Sequence, residues 1–207
     1  FGKGNDTIPE QYGICWMYTK YRMHLIEEIG FDYPVTINTW IEKMKTTAVT
    51  HQAIEINCNG KPAAIGRLES CLVDIKAGHL TKPSCIDFPE DAAVDRQVQL
   101  EPFIKLPKNA DGTDEVCKYV IRYTDTDKNR HMTNLRYVNL LMDAFDGAFY
   151  DGNILSDIEL HYITQCFEGE EISIRKKTCD DGYIVMCVHG DGSVAAAALM
   201  KFTQRKR

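Results

Sequence analysis

Nowhere in this sequence does an apolar run approach the roughly 20 residues needed to cross a bilayer as a helix, and no secretory signal pattern follows Phe1. A surplus of positive charge is also missing. The 30 acidic side chains outnumber 24 basic ones and leave a net charge of −6, which argues against a general nucleic-acid binder. The eight cysteines include no CxxC pair and the six histidines no HxxxH or HxH pair, so metal-ligand spacing is absent. Most cysteines fall in apolar, strand-like segments, where cysteine acts as a small hydrophobe. They are read as reduced thiols of a cytoplasmic protein. What remains is an ordinary globular composition, 44% hydrophobic and 26% charged. It is enough for a sizeable core in one large domain or two of about 100 residues each.

Alternation over Tyr12, Ile14, Trp16 and Tyr18 predicts a strand from Tyr12 to Ile26. Strands are also expected over Val35–Ile41 and Thr46–Cys58, with Asn59-Gly60 as a two-residue hairpin into Pro62–Val73. Four prolines (Pro83, Pro89, Pro102, Pro107) without clean periodicity mark a linker over 79–115. Beyond it, strands are expected at Cys117–Tyr123, Ile154–Phe167, Glu171–Thr178, Tyr183–His189 and Val194–Phe202. Asp181-Gly182 and Asp191-Gly192 supply the turns.

Between the first two of these strands lies Asp127-Lys128-Asn129-Arg130-His131-Met132-Thr133-Asn134. Its polar residues at alternate positions, Asp127, Asn129 and His131, end where apolar residues take helical spacing at Val138, Leu141, Met142, Phe145 and Phe149. Tyr137, Leu140, Ala144 and Ala148 widen the stripe, so one long, broadly enclosed helix is predicted from Leu135 to about Tyr150. Thr133 or Asn134 can cap it. A polar triplet at the start of a buried helix is a plausible active site, although the same residues suit a plain turn and cap.

The halves repeat. Each has a long strand, a shorter one, a strand ending in an Asn-Gly or Asp-Gly turn, and a long return strand. The first half shows no counterpart of the apolar helix, and the expectation is that an N-terminal strand and helix are not in this chain, because an antiparallel sheet needs its apolar face covered. The fold class expected is therefore α+β, a tandem (double) hot-dog, with curved antiparallel sheets each wrapped round a long helix and the first unit incomplete. Residues 1–78 would form the first unit, 79–115 the linker and 116–207 the second unit carrying the polar triplet.

The pattern Asp127-x-Asn129-x-His131-x-x-Asn134-x-x-Tyr137 resembles the signature of the acyl-acyl-carrier-protein thioesterases, double hot-dog enzymes of plant plastids and bacteria. Weaker echoes occur at Arg22-Met23-His24, Tyr33-Pro34, Thr39-Trp40 and Tyr162-Ile163-Thr164-Gln165-Cys166. The plastid enzymes carry a transit peptide that this sequence does not show, which favours the bacterial members. The resemblance implies hydrolysis of the thioester between a fatty acyl chain and the phosphopantetheine arm of acyl carrier protein (ACP). It maps the catalytic group onto Asp127, Asn129 and His131, and a Glu-Cys pair on the following strand onto Gln165 and Cys166. Gln165 departs from the family pattern, since an amide accepts no proton at neutral pH, though it can orient a water.

His131 suits a general base, the helix start suits an oxyanion, and Asn129 can hold water or carbonyl. Asp127 can orient either neighbour or act as base. Cys166 is either a nucleophile assisted by His131 or a buried strand thiol. No metal or organic cofactor is expected. The partner expected is acyl-ACP, with neither nucleic acid nor membrane, and a homodimer is left open. Arg130, Arg136, Arg175, Lys176, Lys177 and the Arg205-Lys206-Arg207 tail are candidate contacts for the acidic carrier. An acyl-CoA thioesterase on the same fold and a non-catalytic acyl-binding protein are the rival readings.

Overall fold

The computed structural model describes residues 7–29, 32–44, 49–86 and 88–205, and the chain divides into two compact units, Phe1–Pro102 and Phe103–Arg207. The first part of the strand expected from Thr46, and Lys206 and Arg207, lie outside the described residues.

In the first unit a short helix α1 (Ile8–Tyr12) precedes β1 (Ile14–Leu25), β2 (Val35–Glu42), β3 (Thr50–Cys58) and β4 (Lys61–Asp74). The antiparallel order is β2-β3-β4-β1. Asn59 and Gly60 both take positive φ, 50° and 75°, as a hairpin turn matched to the strand twist requires. The proline-rich stretch up to Pro102 is built into this unit rather than hanging off it. Here β5 (Leu80–Thr81) pairs with β4, β6 (Ala93–Val94) pairs with β2, and Ile86 and Val98 are buried. A buried ion pair holds the segment after β6. Arg67 Nε donates to Glu42 at 2.8 Å, and the Val98 N–H donates to the same carboxylate at 2.7 Å. On the other face of β2, Val35 and Ile37 are 46% and 61% exposed. Among the described residues this unit has no α-helix besides α1.

The second unit holds β7 (Asp114–Val120), α2 (Asn134–Met142), α3 (Gly147–Gly152), β8 (Asn153–Tyr162), β9 (Glu171–Cys179), β10 (Gly182–His189) and β11 (Val194–Gln204). Its order β9-β10-β11-β8 repeats that of the first unit strand for strand, with β7 added beside β9. The central strands are covered on both faces. Ile184, Met186, Val188, Val194, Ala197 and Leu199 pack with Leu106 on one side. Alternation turns Val185 and Cys187 the other way, and their neighbours Ile172, Ile174, Ala196 and Ala198 are all at most 1% exposed.

Two expectations change. The single long helix is two short ones. Tyr137, Leu140, Leu141, Ala144 and Phe145 are buried at helical spacing, but Leu135 is 69% exposed, so the helix is not enclosed all round. Asp146 breaks the helix because it takes extended backbone and caps α3, accepting the Phe149 N–H at 2.8 Å. Phe145 and Phe149 then stack at 4.7 Å and meet Tyr183 and Phe202 edge-on. The strand expected to reach Phe167 ends at Tyr162. There the N–H groups of Ile163 and Thr164 converge on one carbonyl, that of Ala195, and the chain leaves the sheet. Gln165 and Cys166 therefore lie on a loop, not on a strand.

Candidate active site

The motif loop is a small, self-bonded turn. Asp127 N–H donates to the His131 carbonyl and Arg130 N–H to the Asp127 carbonyl, at 2.9 and 3.0 Å. Arg130 takes φ 65° to close it. The Asp127 carboxylate faces the backbone, where Oδ1 accepts the N–H groups of Asn129 and His131 at 2.8 and 3.2 Å. It is an Asx-type turn that aims both neighbours. Thr133, not Asn134, caps α2 by accepting the Arg136 N–H.

Beneath the loop sits Asp125, which the sequence reading passed over. Burial works against its charge. A hydrogen bond from Tyr119 (2.7 Å), another from the Arg122 N–H (2.9 Å) and the Arg136 guanidinium (3.0 Å) outweigh that effect and hold its carboxyl below the usual range.

His131 is half-buried, with its ring edge-on to Phe167 at 5.1 Å. A bridge pairs the backbones of His131 and Phe167, and Met132 N–H donates to the Cys166 carbonyl at 2.9 Å. The motif loop and the Thr164–Glu170 loop thus run side by side. Asn129, Gln165 and Phe167 are exposed, whereas Cys166 is 0% exposed. Its thiol therefore turns away from the surface that carries its two neighbours. Burial pushes that thiol up to about 11, so it is protonated at neutral pH. Tyr137, the last residue of the motif, reaches under this loop. Its hydroxyl accepts the Cys166 N–H at 3.1 Å and donates to the Thr164 carbonyl at 3.4 Å. Burial raises its own ionisation far above the ordinary phenol range.

The structure adds a second histidine that no motif announced. His189 ends β10 on the helix-covered face, two residues beyond Cys187. Its Nδ1 pairs with Glu170 Oε1, its Nε2 lies 2.8 Å from Thr164 Oγ1, and Glu170 Oε2 accepts the Phe167 N–H at 3.1 Å. Cys166, Glu170 and His189 bring ligand-type atoms within 4.8 Å of one another, a spacing that a metal ion could use. Both imidazole nitrogens and both Glu170 oxygens already have partners within the chain, so the group reads as a hydrogen-bonded network. All eight cysteines are free.

The basic candidates are not gathered into one free patch. Arg130 pairs with Glu168 (2.6 Å) and Arg136 with Asp125. Arg175 and Lys177 donate to backbone carbonyls of Thr113 and Asp111 (2.6 and 3.2 Å), and Lys176 bonds the Ala144 carbonyl (2.7 Å) over the Phe145 ring.

No curated protein matches the chain by sequence. Among solved structures it is similar to an acyl-ACP thioesterase from Bacteroides thetaiotaomicron VPI-5482 (TM-score 0.86, 17% identity, covering 98% of this chain and 82% of that one). A 12:0-ACP thioesterase from Umbellularia californica is close behind (0.83, 16%, 99% and 81%). A MaoC-like dehydratase from Phytophthora capsici also matches (0.60, 12%, 95% and 74%). At these identities the likenesses establish the hot-dog fold, which carries more than one chemistry. The family model for the acyl-ACP thioesterase C-terminal domain matches residues 108–203, the span that holds the motif loop, Gln165-Cys166 and His189. On that match the second unit is similar to the C-terminal domain of the acyl-ACP thioesterases.

Proposed function

We propose that the chain hydrolyses the thioester of fatty acyl-ACP, releasing free fatty acid, with water as the nucleophile. The observation that carries this reading is the motif turn, in which one carboxylate oxygen of Asp127 holds the N–H groups of both Asn129 and His131. In the proposed step a water attacks the thioester carbonyl while His131 takes its proton. The Asn129 amide holds the carbonyl or the water. The start of α2, where the N–H groups of Asn134 and Leu135 have no partner among the described residues, faces negative charge as it develops on oxygen. Collapse of the tetrahedral intermediate expels the pantetheine thiolate, which receives the proton from His131. A buried thiol held near 11 makes a poor nucleophile at neutral pH, and this favours water over Cys166.

The test is fatty acid release from ACP carrying acyl chains of different lengths, run beside the matching acyl-CoA compounds. His131→Ala should lower turnover by about 10²–10⁴-fold, and Cys166→Ala should leave it within a few-fold of the parent. A folded Cys166→Ala protein without activity, with an acyl group trapped on Cys166 in the parent, would falsify the water mechanism. Acyl binding without turnover would instead mark a binding protein.

A further inference from the structure

Thr164, His189 and Glu170 form a hydroxyl–imidazole–carboxylate relay, and we infer that Thr164 Oγ1 is the acyl acceptor of a covalent transfer centre for uncharged acyl esters and thioesters. The inference stands on the geometry of these three residues and does not need the His131 reading. Glu170 Oε1 engages His189 Nδ1, and Glu170 is itself fixed by the Phe167 N–H. A carboxylate on Nδ1 keeps the proton there and leaves Nε2 of the neutral ring as an acceptor. Nε2 is 2.8 Å from Thr164 Oγ1, within the reach required of a base and its nucleophile. The alternative acceptor for the hydroxyl proton, the Val194 carbonyl, is at 3.3 Å. A hydroxyl directed at that ring nitrogen is the arrangement a base and its nucleophile need.

Two further observations make this a site rather than a packing contact. Thr164 is exposed, although the imidazole behind it is largely covered (12% of its side chain accessible). The residue that follows the hydroxyl is Gln165, and among the described residues neither its backbone N–H nor its carboxamide has a hydrogen-bond partner. The N–H after a nucleophile is where hydrolases commonly place an oxyanion donor, and the Gln165 amide offers a second one. A glutamate at this position would repel the oxyanion, whereas glutamine can donate to it. His189 also lines a cleft of about 490 Å³ with Glu170, Glu171 and Asp191, and acidic side chains beside the base disfavour anionic acyl donors such as acyl phosphates.

The reaction balances without a co-reactant. Thr164 Oγ1 bonds to the acyl carbon as its proton passes to His189 Nε2. The C–S or C–O bond to the leaving group breaks, and the leaving group takes that proton. Water then attacks the threonyl ester with the same base, the C–Oγ1 bond breaks, and Oγ1 regains a proton as the carboxylic acid departs.

The full chain should be treated with p-nitrophenyl acetate and, separately, with a fluorophosphonate, followed by intact mass and peptide mapping. One adduct per chain on Thr164 is expected. It should persist in Thr164→Ser, vanish in Thr164→Val, and form about 10²-fold or more slowly in His189→Gln, with all variants melting like the parent. An unlabelled parent chain, or labelling unchanged in folded Thr164→Val, overturns the inference. Acyl-ACP turnover is measured in parallel. Its absence with Thr164 labelling intact defeats the proposed function alone, and the reverse outcome defeats only the Thr164 centre.

Discussion

Asp127 acts on backbone amides rather than on an imidazole, and that decides how its substitutions should behave. Asparagine offers the same acceptor oxygen to the Asn129 and His131 N–H groups. Asp127→Asn should therefore retain acyl-ACP turnover within roughly tenfold, and Asp127→Ala should lose about 10²-fold or more. Steady-state fatty acid release distinguishes the two, and an Asn variant as inactive as Ala would show that the carboxylate itself is the base. Cys166 yields a second residue-level test. Its thiol is fully buried and held near 11, while Cys85 is exposed. Brief alkylation of the native chain near neutral pH should label Cys85 and spare Cys166, with both modified after denaturation; mass mapping reads the result. The sequence named Asp127, Asn129, His131, Gln165 and Cys166. It did not name Asp125, Thr164, Glu170 or His189 as a group, because a hydrogen bond across the 19-residue separation of Glu170 and His189 exists only once β9 and β10 are in register.

At the scale of elements, the apolar stripe after Asn134 was legible but its interruption was not. Helical periodicity continues through Phe145 and Phe149, yet Asp143 and Asp146 are weak helix formers and Asp146 gains more as a cap. Asp146→Ala should cost about 1 kcal/mol in urea unfolding, with the loss traced to the α3 end of the unit by hydrogen exchange. Lys176 and Arg175 illustrate the same limit for charge. In sequence they look like a basic cluster, but strand alternation sends them to opposite faces of β9. Each is tied to its own chain, Lys176 to the Ala144 carbonyl and Arg175 to Thr113 and Glu115. Arg175→Glu is therefore expected to destabilise the turn before β7 and lower the denaturation midpoint. An effect confined to the Michaelis constant for acyl-ACP, with stability unchanged, would restore Arg175 as a carrier contact.

For the whole molecule, acid stability has a definite sign. Burial opposes the charge of Glu69, but hydrogen bonds from His51 (3.1 Å), Lys20 (2.9 Å) and Thr19 (2.8 Å), with the Lys20 charge, hold its carboxyl down to about 2 from 4.5. A folded-state value below the unfolded one gives stability that is complete above about 4.5 and is lost as pH falls toward 2. Denaturant midpoints measured across that window should fall, and Glu69→Gln should flatten the slope there. An unchanged slope would place the acid-labile charge elsewhere.

The sequence by itself determined the periodicities, and with them the two runs of strands, the Asn59-Gly60 turn, the repeat between halves and the motif ahead of an apolar helix. All of these are encoded within a few residues of one another, as alternation, turn chemistry and spacing. Tertiary structure decided what meets across the chain. It ended β8 before Gln165, turned the Cys166 thiol inward while leaving Gln165 outside, and set Thr164, Glu170 and His189 in line. Those outcomes depend on strand register and on which side of a loop is buried, and neither is set by any local stretch of sequence.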